Sequence, residues 1–246
     1  MVKSVFSGKV LGAFISICMF FNVLADVLAT DQVITTAHYA NGDVVPYLLT
    51  QSPNAKPRFV LILMPGGAGN MNIRLVDDKP SFGFKGNFLI RSRKMFADQQ
   101  ISVIATDATS SAERMSAIVE DAKSRFPDAK IYIAGTSRST IDTARLAERM
   151  DGKVAGFIHT SSFRDITSID TRELKSRHLV VHHVNDSCRH TLYGNAQRSH
   201  EKYGTELITM EGGISQGDPC EAFAHHGFNG IELETVMKIK TWIKRP

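Results

Sequence analysis

No dense cluster of lysine and arginine interleaved with aromatic residues occurs in the 246 residues, so the electrostatic footprint of a nucleic-acid-binding protein is missing. A large excess of charge of one sign is absent too: 29 basic residues stand against 25 acidic ones, and a formal +4 names no partner. Low-complexity tracts and internal repeats are lacking. With 43% hydrophobic and 22% charged residues, what is left is one globular domain of ordinary composition.

The uncharged run Val10 to Ala25 has 16 residues, short of the roughly 20 that a spanning helix needs. Lys3 and Lys9 precede it and Val-Leu-Ala closes it before Asp26, the pattern of a secretory signal peptide over 1–25. A second Val-Leu-Ala ends at Ala29, so cleavage after Ala25 or after Ala29 is open, and the mature chain begins at Asp26 or Thr30. Its formal charge is then +2 or +3, because Lys3 and Lys9 leave and Asp26 stays or goes. The expected location is secreted or periplasmic, with no stable membrane span after cleavage. Nothing in the sequence names an oligomeric state.

Cysteine is scarce. Cys18 leaves with the signal peptide, and the exported chain keeps Cys188 and Cys220, an even pair suited to an oxidising compartment. A disulfide is the expectation; the alternative is two buried free thiols. Closing this loop of 32 residues would stabilise the fold by roughly 3.7 kcal/mol in the chain-entropy model.

Past the signal, Gln32 to Tyr39 and Val44 to Thr50 have β character and flank Asn41-Gly42, a strong hairpin signal. Pro46 argues for an edge position in the second strand. Phe59 to Met64, Ile101 to Thr106, Lys130 to Ala134 and Val154 to His159 then alternate with helical segments, which predicts a parallel sheet. Ser110 and Glu113 form a capping box for a helix with the stripe Met115, Ile118, Val119, Ala122 and Phe126, ended by Pro127. Strands from Leu179 and Glu206 and a helix from Ile231 to Ile243 complete the pattern. The fold class is α/β: a doubly wound, mostly parallel sheet flanked by helices over 30–246, opening with an antiparallel hairpin and leaving no room for a separate cap domain. The stretch Ala68 to Asn87, rich in Gly, Asn and Asp, reads as one long irregular loop, either walling a pocket or disordered.

In Ile131-Tyr-Ile-Ala-Gly-Thr-Ser-Arg-Ser-Thr140 a serine follows a buried strand and opens a helix, with Gly135 two before it and Ser139 two after. A strand entering a helix through so tight a turn needs small residues at both places, the outline of a nucleophile elbow. The pattern is GxSxS where GxSxG is usual. A carboxylate and a histidine follow in the order Ser137, Asp186, His226. Asp186 closes a buried-strand run, at the carboxyl edge where parallel sheets bind ligands, and Asp165 is its rival. His226 lies in a loop beside His225, with Gly227 to turn the backbone. A Cys188–Cys220 bridge would clamp the acid loop to the histidine loop. His182, His183, Asp186, His190 and His225 are all possible metal ligands, yet neighbouring strand residues point to opposite faces, so no metal is expected.

With these residues placed, the chain resembles the α/β hydrolase superfamily, most closely its small secreted serine hydrolases without a large lid. The resemblance implies acyl transfer by Ser137, Asp186 and His226 on a small-molecule acyl substrate, without cofactor. It also implies an oxyanion hole from the backbone at Gly67, in Met64-Pro-Gly-Gly-Ala-Gly69, and at Arg138. A carboxylic ester is the expected substrate class. A peptidase or acyltransferase would use the same three residues, and a binding protein that kept the fold and lost catalysis is the reading outside enzymology.

Overall fold

Asn41-Gly42 closes a hairpin between β1 (Asp31–His38) and β2 (Val44–Gln51), with Gly42 at φ 90 and the Asn41 side chain accepting from the Asp43 amide. The computed structural model describes residues 30–246; the expected signal peptide and both cleavage positions lie outside the described residues. The hairpin pairs from Asp31 opposite Gln51 to His38 opposite Val44.

The core strands follow: β3 (Phe59–Met64), a small hairpin of β4 (Arg74–Val76) and β5 (Lys79–Ser81), then β6 (Ile101–Ala105), β7 (Lys130–Thr136), β8 (Gly156–Thr160), β9 (Arg177–His183) and β10 (Glu206–Met210). Eight of them form one sheet in the order β1-β2-β6-β3-β7-β8-β9-β10. β1 and β2, and β2 and β6, pair antiparallel; the other pairs are parallel. Every residue of β3 is buried, because both faces of the sheet are covered. Phe59, Leu61 and Leu63 point into one core with Phe88, Phe96, Ile239 and Trp242; Val60, Ile62 and Met64 point into the other with Met115, Ile118 and Leu146.

The helices that cover those faces are α1 (Phe88–Arg91), α2 (Arg93–Phe96), α3 (Ala112–Arg125), α4 (Ser139–Arg149), α5 (Tyr193–Tyr203) and α6 (Glu232–Lys244). After β3 the chain crosses to β6 on one side, and after β7 it crosses to β8 on the other. The connections leaving β3 and β7 therefore diverge, and a crevice opens above their adjacent carboxyl ends.

Four expectations need correction. The cap of α3 is Ser111, whose Oγ accepts from the Arg114 amide at 3.2 Å; Ser110 lies one residue too early and Glu113 takes no part. β2 is internal, between β1 and β6. Pro46 is tolerated there because β6 pairs only with Leu48–Thr50, beyond the proline. The eighth strand begins at Gly156, two residues later than Val154. Finally, Ala68–Asn87 is not one irregular loop: Asp77 and Asp78, at φ 48 and 57, turn β4 back onto β5, the all-positive turn that a two-residue hairpin favours.

Two histidines, one on β8 and one on β9, are buried. His159 and His178 stack at 5.7 Å between centroids, and His178 also stacks on Phe157. Burial lowers the pKa of His178 to about 4 and that of His159 well below its usual value. Both are neutral when folded, whereas in the unfolded chain they gain protons near pH 6.5. Stability from this pair is therefore complete above about pH 6.5 and falls as the pH drops toward 4, with about 3 kcal/mol lost through His178 alone. Urea unfolding at pH 7 and 4.5 should show the loss, and His178→Leu should shrink it; an equal loss in the variant would show that other groups cause it.

Candidate active site

β7 ends at Thr136 and α4 begins at Ser139, which leaves Ser137 on the turn at φ 52, a left-handed conformation uncommon for a residue with a side chain. Ser137 donates its amide to the Thr160 carbonyl at 3.0 Å. Gly135 is needed because a Cβ there would come within 2.2 Å of Thr143 Oγ1 and 2.7 Å of the Ser139 carbonyl oxygen. Ser139 shows why the second small residue need not be glycine. Its side chain is buried, its Oγ accepts from the Thr136 amide at 2.8 Å, and the same Oγ lies 3.0 Å from the carbonyl oxygens of Met64 and Thr136. The hydroxyl thus ties the end of β3 to the elbow.

The chain after β3 packs directly on that elbow. A Cβ on Gly66 would sit 2.8 Å from the Thr136 oxygen and 3.0 Å from Ser137 Cβ. Gly67 holds φ 63 beside the Phe84 ring. Gly67, Ser137, Arg138 and His226 all line one cavity of about 760 Å³ in the crevice, a size that suits a small or medium substrate. Phe84, Phe163 and Phe223 supply apolar wall.

His226 lies in a single 3-10 turn, His225–Gly227, and is buried. Its Nδ1 is 3.0 Å from Asp186 Oδ2 and 3.0 Å from Thr191 Oγ1. Thr191 Oγ1 in turn donates to Asp186 Oδ2 at 3.0 Å, so it accepts from the imidazole. That pattern puts the proton on Nδ1 and leaves the Nε2 lone pair without one. Asp186 stands just past β9 in a turn closed by its amide onto the His183 carbonyl. Its Oδ1 accepts from the Cys188 amide at 3.0 Å, and its Oδ2 also takes His182 Nε2 at 3.2 Å. Burial would raise the Asp186 carboxyl, but the hydrogen bonds from His182, His226 and the Cys188 amide outweigh it and hold the group well below the usual carboxylate range.

Asp165, the alternative carboxylate, lies in a 3-10 turn over Arg164–Ser168, while the bond to His226 is made by Asp186. His225 is occupied by a stack on His183, 4.3 Å between centroids and 3° from parallel. The remaining histidines diverge. His182 donates to the Thr191 carbonyl at 2.6 Å, His183 to the Gly212 carbonyl at 2.8 Å, and His190 stacks on Phe163. Thr191 and His182 were not singled out from the sequence as partners of Asp186; neither stands at a spacing that marks it. The Cys188–Cys220 disulfide is present. Cys188 is beside Asp186 and Cys220 lines the cavity, so the bridge joins the acid turn to the segment leading to His226.

No protein-family model matches the sequence, and no curated protein matches it. Solved structures do match in fold. An α/β serine hydrolase without a lid from Xanthomonas campestris, XC6422, superposes with a TM-score of 0.55 at 12% identity over 88% of this chain and 97% of that one. Est1E from Butyrivibrio proteoclasticus gives 0.59 at 14% identity over 85% and 97%. A cold-adapted esterase from an Arctic intertidal metagenomic library, in a zinc-bound structure, gives 0.59 at 11% identity over 88% and 96%. The chain has the α/β hydrolase fold.

Proposed function

We propose that this chain is a serine hydrolase that cleaves a carboxylic ester or related acyl bond through Ser137, Asp186 and His226. The observation that carries the reading is the buried Asp186–His226 bond, which leaves Nε2 free to accept a proton at a cavity shared with Ser137 on its left-handed turn. His226 Nε2 takes the Ser137 proton as Oγ attacks the acyl carbon, and the tetrahedral oxyanion forms against the amides of Gly67 and Arg138. The imidazolium then gives its proton to the departing alkoxide, and water repeats the cycle on the acyl-enzyme. Each oxyanion donor is worth about 3 kcal/mol of transition-state stabilisation. The Asp186 carboxylate keeps the Nδ1–H tautomer and stabilises the imidazolium. Esterases and a lidless serine hydrolase among the proteins of like fold support this reading, and the disulfide supports an exported, oxidising location. Among the described residues no helix is long and apolar enough to cross a membrane.

The test is a fluorophosphonate probe on oxidised protein beside Ser137→Ala, with the modified peptide mapped by mass spectrometry. Labelling confined to Ser137 is expected. Folded protein that never labels would overturn the reading and leave a binding protein of hydrolase fold. Turnover of ester, thioester and peptide libraries then separates esterase from peptidase.

A further inference from the structure

The turn that carries His226 is held at two successive carbonyls by side chains from distant parts of the chain. Ser161, buried and held at φ 45 just past β8, donates from Oγ to the His226 carbonyl at 2.6 Å. Arg91, at the end of α1, donates from Nη2 to the Gly227 carbonyl at 2.6 Å and from Nη1 to the Gly86 carbonyl at 2.6 Å. Glu232 fixes the guanidinium itself. Its Oε1 accepts from Arg91 Nε at 3.1 Å and from Nη2 at 2.8 Å, while its Oε2 accepts from the Gly230 amide at 2.9 Å. The same guanidinium lies 5.5 Å from the ring centroid of Phe223 on the cavity wall.

We propose that Arg91 is a positioning residue that sets the place of His226 relative to Ser137, an inference that rests on the hydrolase reading. An ion pair near the surface contributes little by itself, and the Arg91–Glu232 pair alone would be an ordinary strut. Here the rigid fork joins two stretches of chain far apart in sequence: the wall at Gly86 with α1, and the histidine turn at Gly227 with the start of α6. Lysine has one ammonium on a flexible stem and cannot reproduce the fork. Ser161 fixes one carbonyl of the turn and Arg91 the next, so losing Arg91 releases the Gly227 side of the turn and lets His226 shift within the bonds that remain. A displacement near 1 Å of a reacting group costs about 100-fold.

Arg91→Lys should therefore lower kcat about 10- to 100-fold with KM changed less than about threefold. Fluorophosphonate labelling per folded molecule, with the folded fraction taken from near-UV circular dichroism, should fall in parallel. Glu232→Gln, which keeps both carbonyl bonds and weakens only the anchor, should give a smaller loss of the same kind and stands in should Arg91→Lys not fold. The downfield proton resonance of the His226 Nδ1–H gives a readout independent of activity, expected to shift or broaden in the variants. If the variants melt earlier yet label at the wild-type rate per folded molecule, the network is structural only and the proposal is wrong. Should wild type itself fail to label, the hydrolase reading falls and the resonance decides: a change in the variants supports Arg91 as the holder of His226, and none refutes it.

Discussion

Asp186→Asn should lower kcat about 10⁴-fold while the fold persists. Four donors lie within hydrogen-bond reach of the carboxylate: His182, Thr191 and His226 at Oδ2, the two imidazoles sharing their protons with Thr191, and the Cys188 amide at Oδ1. An amide has one oxygen and one NH2, so one of the two carboxylate positions still accepts and the other sets donor against donor. With the NH2 at Oδ1 only the Cys188 amide is opposed and the oxygen at Oδ2 keeps its three donors, but the neutral amide no longer stabilises an imidazolium. With the NH2 at Oδ2, His226 moves its proton from Nδ1 to Nε2 and accepts from the amide, a tautomer that cannot take a proton from Ser137. In the proposed mechanism either arrangement leaves the serine poorly activated. Steady-state hydrolysis of an activated ester at pH 7, alongside near-UV circular dichroism to show intact packing, checks the expectation. A loss below about tenfold would mean that Asp186 neither holds the working tautomer nor stabilises the imidazolium.

The second large effect is expected at Gly227. Its φ is not in the left-handed region, so the requirement for glycine is one of space. A Cβ there would lie 1.9 Å from the Ala222 carbonyl oxygen, 2.6 Å from its carbon and 2.9 Å from its Cα. All three are backbone, and no side-chain rotation relieves them. The histidine turn or the segment at Ala222 must shift by about 1 Å to reach ordinary contact distance. Gly227→Ala should therefore cost about 100-fold in kcat and about 1 to 3 kcal/mol of stability. Gly194, in the first turn of α5, has nothing within 4 Å of its Cβ position and is the control. Gly194→Ala should leave kcat unchanged. Equal kcat in the Gly227 and Gly194 variants would show that the histidine turn is not confined as drawn.

What was legible in the sequence is what local sterics impose. The elbow could be read because its two small residues lie within two positions of Ser137, and Gly135, at the end of β7, meets Thr143 and Ser139 of the helix that follows. The central parallel strands were legible because their runs are largely apolar and buried on both faces. The places that misled are those where neighbours compete or where pairing elsewhere decides. Ser110 and Ser111 are equivalent on composition, and only the helix register selects Ser111. Pro46 reads as an edge signal until it is known that β6 pairs only farther along the strand. The β4–β5 hairpin has three-residue strands and an Asp-Asp turn, too short to show alternation. Arg91, Ser161 and Thr191 carry no pattern at all, since each meets the histidine turn across long stretches of chain: Arg91 and Gly227 are 136 residues apart.

The Cys188–Cys220 bridge closes a ring that contains α5 and β10, the last strand of the sheet order. An end strand paired on one side only is where a native sheet opens most readily. Without the bridge, an opening of β10 would carry the downstream chain, His226 included, away from Asp186. With it, the strand can detach and re-pair while acid and histidine stay covalently tethered at the base of the ring. Amide hydrogen exchange in β10 is therefore expected to outpace loss of the Asp186–His226 bond in the oxidised protein and to track it once the bridge is reduced.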